Sequence, residues 1–372
     1  MTPEARHLLA ALHEPEDRDD DLLDGLTDVE WANIASLAVR QRIAALLHTM
    51  PGLPMPDTCR EPLHAHAERA ATRVLRQQAA VLALANAVEP DGIRMVALKG
   101  LHLGCAVYPS PALREMGDVD VLVTGPDLPR VQTAAQDLGF RPLAAGVSEH
   151  HAPPLVRDGV VLELHLHIDS RSGAPRAQLD DLWSRLIQLP LAKNLWGLCP
   201  EDLLVHSALH GIDAHVMELG IRSLCDIRAI LQKHGATLNP AHLQDQATRW
   251  QASRALQLGM ALVERTFGFR APDTIRPEPV EEDILSAAVE HIFDHTRPTS
   301  ESAATFVDAT WRRRLRLIKD RVLHPSGEAP LTRAIGLTRR HGRWLTQAAL
   351  ARRGATHQAL DRRRALRHWL RR

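Results

Sequence analysis

The chain has 372 residues, 45% hydrophobic and 24% charged, which excludes a disordered chain and leaves room for two or three domains with real cores. Aromatic residues are scarce at 3%, so Ala, Leu and Arg dominate and favour helices packed through aliphatic side chains. The net charge of zero conceals an asymmetry: residues 311–372 hold 17 Arg and one Lys against Asp320, Glu328 and Asp361, a local net of +15, and the first 310 residues carry −15.

The first 90 residues read as helices. Apolar positions recur at helical spacing in Leu8, Leu9 and Leu12, then Ile34, Leu37, Ala38, Ile43, Leu46 and Leu47, and again through 74–88. Acidic residues 17–24 and Pro-rich residues 51–56 punctuate them as loops. After the turn Pro90-Asp91-Gly92 the pattern changes to a strand over 93–98, followed by Lys99-Gly100, a short helix, a loop carrying Arg114, and a second strand over 118–124. Gly125-Pro126-Asp127 opens a helix with Asp127 as N-cap and Pro129 in its first turn, and Gly139 stops it. Residues 140–157 read as loop-like with room for a short strand, and 159–168 as a third strand that puts Glu163, His165 and His167 on one face.

Beyond Leu179 the spacing predicts helices only, at 200–210, 219–233, 241–267 and 281–293, then Arg-rich 311–323 and 330–353. The expected fold class is therefore mixed α/β and helix-rich: an N-terminal helical region (1–90), a small α/β core (91–190), a helical region (191–300) and an Arg-rich helical C-terminal segment (301–372). That segment reads as a basic tail on an acidic body or as solvated helix faces, with contact to a polyanion or a membrane surface as alternatives. No run of about 18 apolar residues predicts a membrane span, and the acidic N-terminal stretch does not resemble a signal peptide. Cys59, Cys105, Cys199 and Cys225 lie far apart without a zinc-type pair, as expected of free thiols in a reducing, cytoplasmic setting.

Asp118 and Asp120 carry the strongest chemical signal. At i and i+2 on a strand they face the same side, and two like charges there call for solvent or a cation. A divalent ion carrying a nucleoside triphosphate is the expected cation, Mg²⁺ with Mn²⁺ as an alternative. Glu163, on a strand some 40 residues downstream, is placed to supply a third carboxylate. Gly100 permits close backbone approach to phosphate, the helix behind it offers free N–H groups, and Lys99 adds a point charge. Arg114 either clamps a phosphate or pairs with Glu115 or Asp118. His165 and His167 stand as metal ligands, as substrate contacts, as polar neighbours orienting Glu163, or as structural histidines. His206 and His210, one helical turn apart, form a weaker candidate metal pair ahead of Arg222 and Asp226.

Taken together these residues resemble the uncharacterised-type bacterial nucleotidyltransferases of the polymerase-β-like superfamily. The resemblance rests on Ala97-Leu98-Lys99-Gly100, Tyr108-Pro109, Arg114, Gly117-Asp118-Val119-Asp120-Val121-Leu122-Val123, Glu163-Leu164-His165, His206, His210, Arg222 and Asp226. Two features depart from the wider superfamily: the turn is Lys-Gly where Gly-Gly or Gly-Ser is usual, and Leu166-His167 follow where a Trp often stands. The resemblance implies transfer of NMP from an NTP donor by a two-metal mechanism. Asp118, Asp120 and Glu163 hold the metals in that reading, and Lys99 and Gly100 hold the triphosphate. The acceptor is left open among a small molecule, a peptide, a protein and RNA. The rival readings are a metal-dependent hydrolase using His165 and His167, a non-catalytic nucleotide- or polyanion-binding protein using the Arg-rich segment, and a glycosyltransferase using the Asp-x-Asp pair.

Overall fold

The computed structural model of the chain describes residues 1–143, 152–168, 181–293 and 357–371. They divide into two compact units, Met1–Leu285 and Ser286–Arg372. The first unit opens with α1 (Pro3–Ala11), α2 (Asp28–Arg40), α3 (Ala44–Thr49) and the long α4 (Asp57–Val88). The start of α2 follows from its sequence: Thr27 Oγ1 accepts from Glu30 N–H at 3.3 Å while Thr27 N–H donates to Glu30 Oε2 at 2.8 Å. This reciprocal pair satisfies two helix-end donors at once. Trp31, Ile34, Leu37 and Ala38 form the buried face of α2.

The α/β part follows as β1 (Met95–Ala97), α5 (Lys99–Ala106), β2 (Val119–Leu122), α6 (Leu128–Asp137), β3 (Arg141–Pro142), β4 (Leu155–Arg157), β5 (Val160–His165), β6 (Ile187–Gln188) and β7 (Leu195–Gly197). These strands form one mixed sheet in the order β3-β4-β5-β2-β1-β7-β6. β1 runs antiparallel to β2 and parallel to β7, and β2 runs parallel to β5.

Strand alternation separates the two faces of this sheet. Met95 and Ala97 of β1, Val119 and Val121 of β2, and Leu162 and Leu164 of β5 all enter one core. Val81, Leu84 and Val88 of α4 and Val131 and Ala135 of α6 close that core. Each fully buried Val or Leu there contributes about 1.5–3 kcal/mol. Asp120, Glu163 and His165, at the intervening positions, are thereby turned to the opposite face.

The chain continues as α7 (Pro200–Ala208), a π-helical turn (Leu209–Ala214), α8 (Arg222–His234), α9 (Pro240–Arg249), α10 (Ser253–Phe267) and α11 (Glu282–Ile292). The described part of the second unit ends in α12 (His357–Leu370). The Arg-rich stretches expected as helices at 311–323 and 330–353 lie outside the described residues. Among the described residues no helix is long and apolar enough to cross a membrane. All four cysteines are free thiols.

Several sequence expectations are corrected here. The segment after Leu179 is not purely helical, because β6 and β7 join the sheet. The helix expected over 241–267 is two, α9 and α10, separated at Trp250, Gln251 and Ala252, where Gln251 takes φ 49°. The helix from Pro200 gives way at Leu209 to the π-helical turn. Asp127 stands at the N-cap of α6 but its side chain makes no cap bond; its carboxylate instead accepts from Thr124 Oγ1 at 2.5 Å. The strand from 159 ends at His165, so His167 lies beyond the ladder that was expected to align it with Glu163.

Candidate active site

The site begins where β1 turns into α5. Leu98 N–H donates to the Asp120 carbonyl at 3.1 Å, extending the β1–β2 ladder by one residue. Lys99 then takes φ 46°, a left-handed conformation that costs a non-glycine residue about 1–3 kcal/mol. Strain of this kind persists only where the surroundings hold it. Here the holding contact is Lys99 Nζ donating to Asp120 Oδ1 at 2.6 Å.

Asp120 and Glu163 are direct register partners across parallel β2 and β5. His165, two residues beyond Glu163 and so on the same face, donates from Nε2 to Asp120 Oδ1 at 2.7 Å and lies 3.6 Å from Glu163 Oε2. Donor atoms of Asp120, Glu163 and His165 all lie within 4.8 Å of one another. The Asp120 side chain is 3% exposed and that of Glu163 is 21%, so the cluster opens outward on the Glu163 side. Asp118 is exposed just before β2 and is not one of that close trio.

Electrostatics couple the five acidic and basic groups Lys99, Asp118, Asp120, Glu163 and His165. Burial alone raises the Asp120 carboxyl, but Lys99 and His165 outweigh it and hold the group well below the ordinary carboxylate range. Burial lowers Lys99, yet Asp120, then Asp118 and Glu163, leave it raised overall. His165 is raised in the same way, its bonds to Asp120 and Glu163 outweighing burial. Asp118 moves the other way from Asp120: although the residue reaches solvent, protein packed around its carboxyl and the charges of Asp120 and Glu163 push it up, against the pull of Lys99 and Arg222.

Behind the carboxylates lies a buried polar brace. Arg114 donates from Nε and Nη2 to the two oxygens of Asp226 at 2.6 and 2.8 Å, and from Nη1 to the Glu115 carbonyl at 2.6 Å. Tyr108 OH donates to Asp226 Oδ1 at 2.8 Å, and Arg222 Nη1 to the Glu115 carbonyl at 3.3 Å. A cavity of about 20 Å³, the size of one water, lies among Lys99, Arg114, His206, His210, Ser223 and Asp226. His210 sits on the π-helical turn, its ring 4.7 Å from that of His215 and 6.3 Å from that of His206. Burial, with Lys99, His215 and His206 adding to it, keeps the His210 imidazole neutral, well below its usual range.

With this geometry in hand, the chain was compared with known proteins. A family model described as an uncharacterised nucleotidyltransferase matches residues 27–268, from the Thr27 cap of α2 to Gly268 at the end of α10. The chain belongs to that family. No curated protein and no solved structure matches it. Membership makes nucleotidyl transfer the general activity class of this chain.

Within this nucleotidyltransferase the expected residues fall into two groups. Lys99, Asp120, Glu163 and His165 converge directly, with Asp118 coupled to them from the rim. Arg114 bonds the backbone carbonyl of Glu115, not the Glu115 or Asp118 carboxylate; its fork is bidentate on Asp226, in chain terms 112 residues away. Asp226 in turn pairs with Arg114 and not with Arg222, its neighbour in the sequence motif. Gly100 has a packing reason of its own, since a Cβ there falls 2.7 Å from Met116 Cγ and 3.3 Å from Arg114 Nη1. His167 joins no metal-sized cluster among the described residues, and neither do His206 and His210.

One residue that the sequence motif named gains a place here, and another escaped the sequence reading. Arg222, buried and beside Arg114, is pushed down to about 10 chiefly by burial and faces Asp118. Arg42, at φ 55° after α2, lies against Gly117, where a Cβ falls 2.7 Å from its Nη1. The glycine ahead of Asp118 was the available signal for that approach.

Proposed function

We propose that this chain transfers a nucleoside monophosphate from an NTP to an acceptor nucleophile at the sheet face carrying Asp118, Asp120 and Glu163. The observation that supports this reading most is the Asp120–Glu163 register, which sets two carboxylates side by side at an outward-opening edge. The donor set fits a divalent cation. Carboxylate oxygens suit Mg²⁺, with Mn²⁺ as a substitute, and donor atoms of Asp120 and Glu163 lie within 4.8 Å of each other. Asp118, Asp120 and Glu163 are the residues that hold the metal. Bound there, Mg²⁺ supplies neutralisation of the triphosphate and a lowered pKa for the attacking hydroxyl.

The chain's own groups perform the remaining tasks. Lys99 keeps Asp120 ionised and places an ammonium at the N-terminus of α5, where unpaired N–H groups and the helix dipole favour the triphosphate. His165 fixes the orientation of Asp120 through Nε2. The Arg114–Asp226–Tyr108 brace holds the loop before Asp118 against α8. Binding of phosphate is therefore assigned to Lys99 and the α5 N-terminus, and Arg114 acts as a support. The acceptor is a small molecule, peptide, protein or RNA bearing a hydroxyl, and the Arg-rich segment 301–372 is the contact for a polyanionic one.

The reaction type has a direct test. Each NTP, radiolabelled at either the α- or the γ-phosphorus, is incubated with the protein, Mg²⁺ and fractionated extract. Label from the α-position in a new product, with pyrophosphate released, is the expected result. Transfer of γ-label instead makes the protein a phosphotransferase and overturns the reading.

A further inference from the structure

Away from the sheet face, four potential metal donors meet where α7 and α9 begin. Cys199 is the N-cap of α7, Glu201 and Asp202 lie in its first turn, and His242 lies in the first turn of α9. Donor atoms of Cys199, Glu201 and His242 all lie within 4.8 Å of one another. Asp202 is 1% exposed; its Oδ2 accepts from Arg185 at 3.0 Å, and its Oδ1 lies 3.5 Å from His242 Nε2. Among the described residues neither Asp202 Oδ1 nor His242 Nε2 has a hydrogen-bond partner of ordinary geometry. At 3.5 Å the two atoms are in ion-pair contact but share no hydrogen bond, which leaves both able to take a common ligand.

The surroundings fit a cation. Asn239 N–H donates to Glu201 Oε1 at 2.8 Å, and its side chain caps the start of α9, where His242 N–H donates to Asn239 Oδ1 at 3.1 Å. Ligand-orienting bonds of this kind are a regular feature of metal sites. A sulfur, an imidazole and carboxylates together match zinc, which takes Cys, His and Asp or Glu tetrahedrally. Bonds of about 2.0–2.3 Å in a tetrahedron leave donors roughly 3–4 Å apart, a range that holds the 3.5 Å between Asp202 Oδ1 and His242 Nε2.

We propose that Cys199, Glu201 and His242, with Asp202 as the fourth donor, bind a zinc ion that ties the start of α7 to the start of α9. The site is separate from the sheet-face carboxylates and independent of the nucleotidyl-transfer reading. It anchors the helix whose far end carries His206 toward Lys99.

The test uses the full chain carrying Asp120→Asn and Glu163→Gln, so that the sheet-face carboxylates do not contribute. Cobalt replaces zinc and reports its ligands by absorption. The expected result is the intense visible spectrum of tetrahedral cobalt with a near-ultraviolet thiolate-to-cobalt band, competed away by zinc. Cys199→Ser should abolish the thiolate band, and His242→Gln should weaken cobalt binding at least about a hundredfold, with circular dichroism confirming that both variants fold. Chelation should lower the thermal midpoint of the parent and leave the two variants unmoved. Octahedral, weakly absorbing cobalt in the parent overturns the proposal, and so does a thiolate band that survives Cys199→Ser.

Discussion

Asp120 and Glu163 stand directly opposite each other on parallel strands β2 and β5, and Lys99 from a third segment is bonded to the first of them at 2.6 Å. Like charges in register destabilise a sheet unless a cation intervenes. In this structure the cations are Lys99 and His165. Asp120→Asn removes the negative charge that both face while keeping the size of the side chain and an acceptor oxygen. The expected outcome is a folded protein whose nucleotidyl transfer falls at least about a thousandfold, the equivalent of roughly 4 kcal/mol of electrostatic stabilisation. Steady-state turnover beside a circular dichroism spectrum checks it, and near-normal turnover would remove Asp120 from the catalytic group.

Lys99 allows its charge and its backbone to be separated. Lys99→Ala loses the ammonium and keeps the left-handed strain at φ 46°, whereas Lys99→Gly loses both. Lys99→Gly is expected to be more stable than Lys99→Ala by about 1 kcal/mol, with NTP affinity weakened equally in the two. Urea midpoints and nucleotide titrations read these effects separately. Equal stability would mean that the turn relaxes on substitution.

The Arg114–Asp226 pair acts on stability. Removing one partner of a buried ion pair costs about 3–5 kcal/mol, because the other charge is left without compensation. Asp226→Asn and Arg114→Gln are each expected to lose that much in chemical denaturation, with NTP affinity retained at temperatures where the variants remain folded. A selective loss of NTP affinity in Arg114→Gln, without loss of stability, would return Arg114 to the phosphate.

His102 gives a pH prediction. It is buried, its Nδ1 accepts from Leu198 N–H at 3.3 Å, and burial, with His206 and His234 adding, pushes it down to about 3 from 6.5. The unfolded chain therefore binds a proton that the folded chain refuses. Stability from this group is fully present above about pH 6.5 and is lost as pH falls toward 3, in total on the order of 5 kcal/mol. His102→Asn keeps an acceptor and removes the titration, so its urea midpoint should fall less steeply between pH 6.5 and 4 than that of the parent, a span inside the window set by that shift. Parallel slopes would contradict it.

The legible parts of this protein were those with a local period. Val119, Asp120 and Val121 alternate, as do Leu162, Glu163 and Leu164, so strand geometry alone turned the carboxylates away from the core. The Lys99-Gly100 turn was visible for the same reason, as a strand pattern ending abruptly. β7 escaped because it has three residues, Leu195, Trp196 and Gly197, and owes its place to pairing with β1, about a hundred residues earlier. Arg114 was legible as a charge but not as a brace, since its partner lies on α8. The α9–α10 break at Gln251 follows no Gly or Pro, and the meeting of Cys199 with His242 joins two helix starts through tertiary packing alone.

The central claim is that the sheet-face carboxylates and Lys99 form one metal–triphosphate site. Calorimetric titration of NTP into the parent, Asp120→Asn and Glu163→Gln, with and without Mg²⁺, tests it most directly. The account predicts binding in the parent that strengthens at least about tenfold when Mg²⁺ is present, a gain of roughly 1.4 kcal/mol, and that gain disappears in both variants. NTP binding that ignores Mg²⁺, or a Mg²⁺ effect that survives both substitutions, would contradict it.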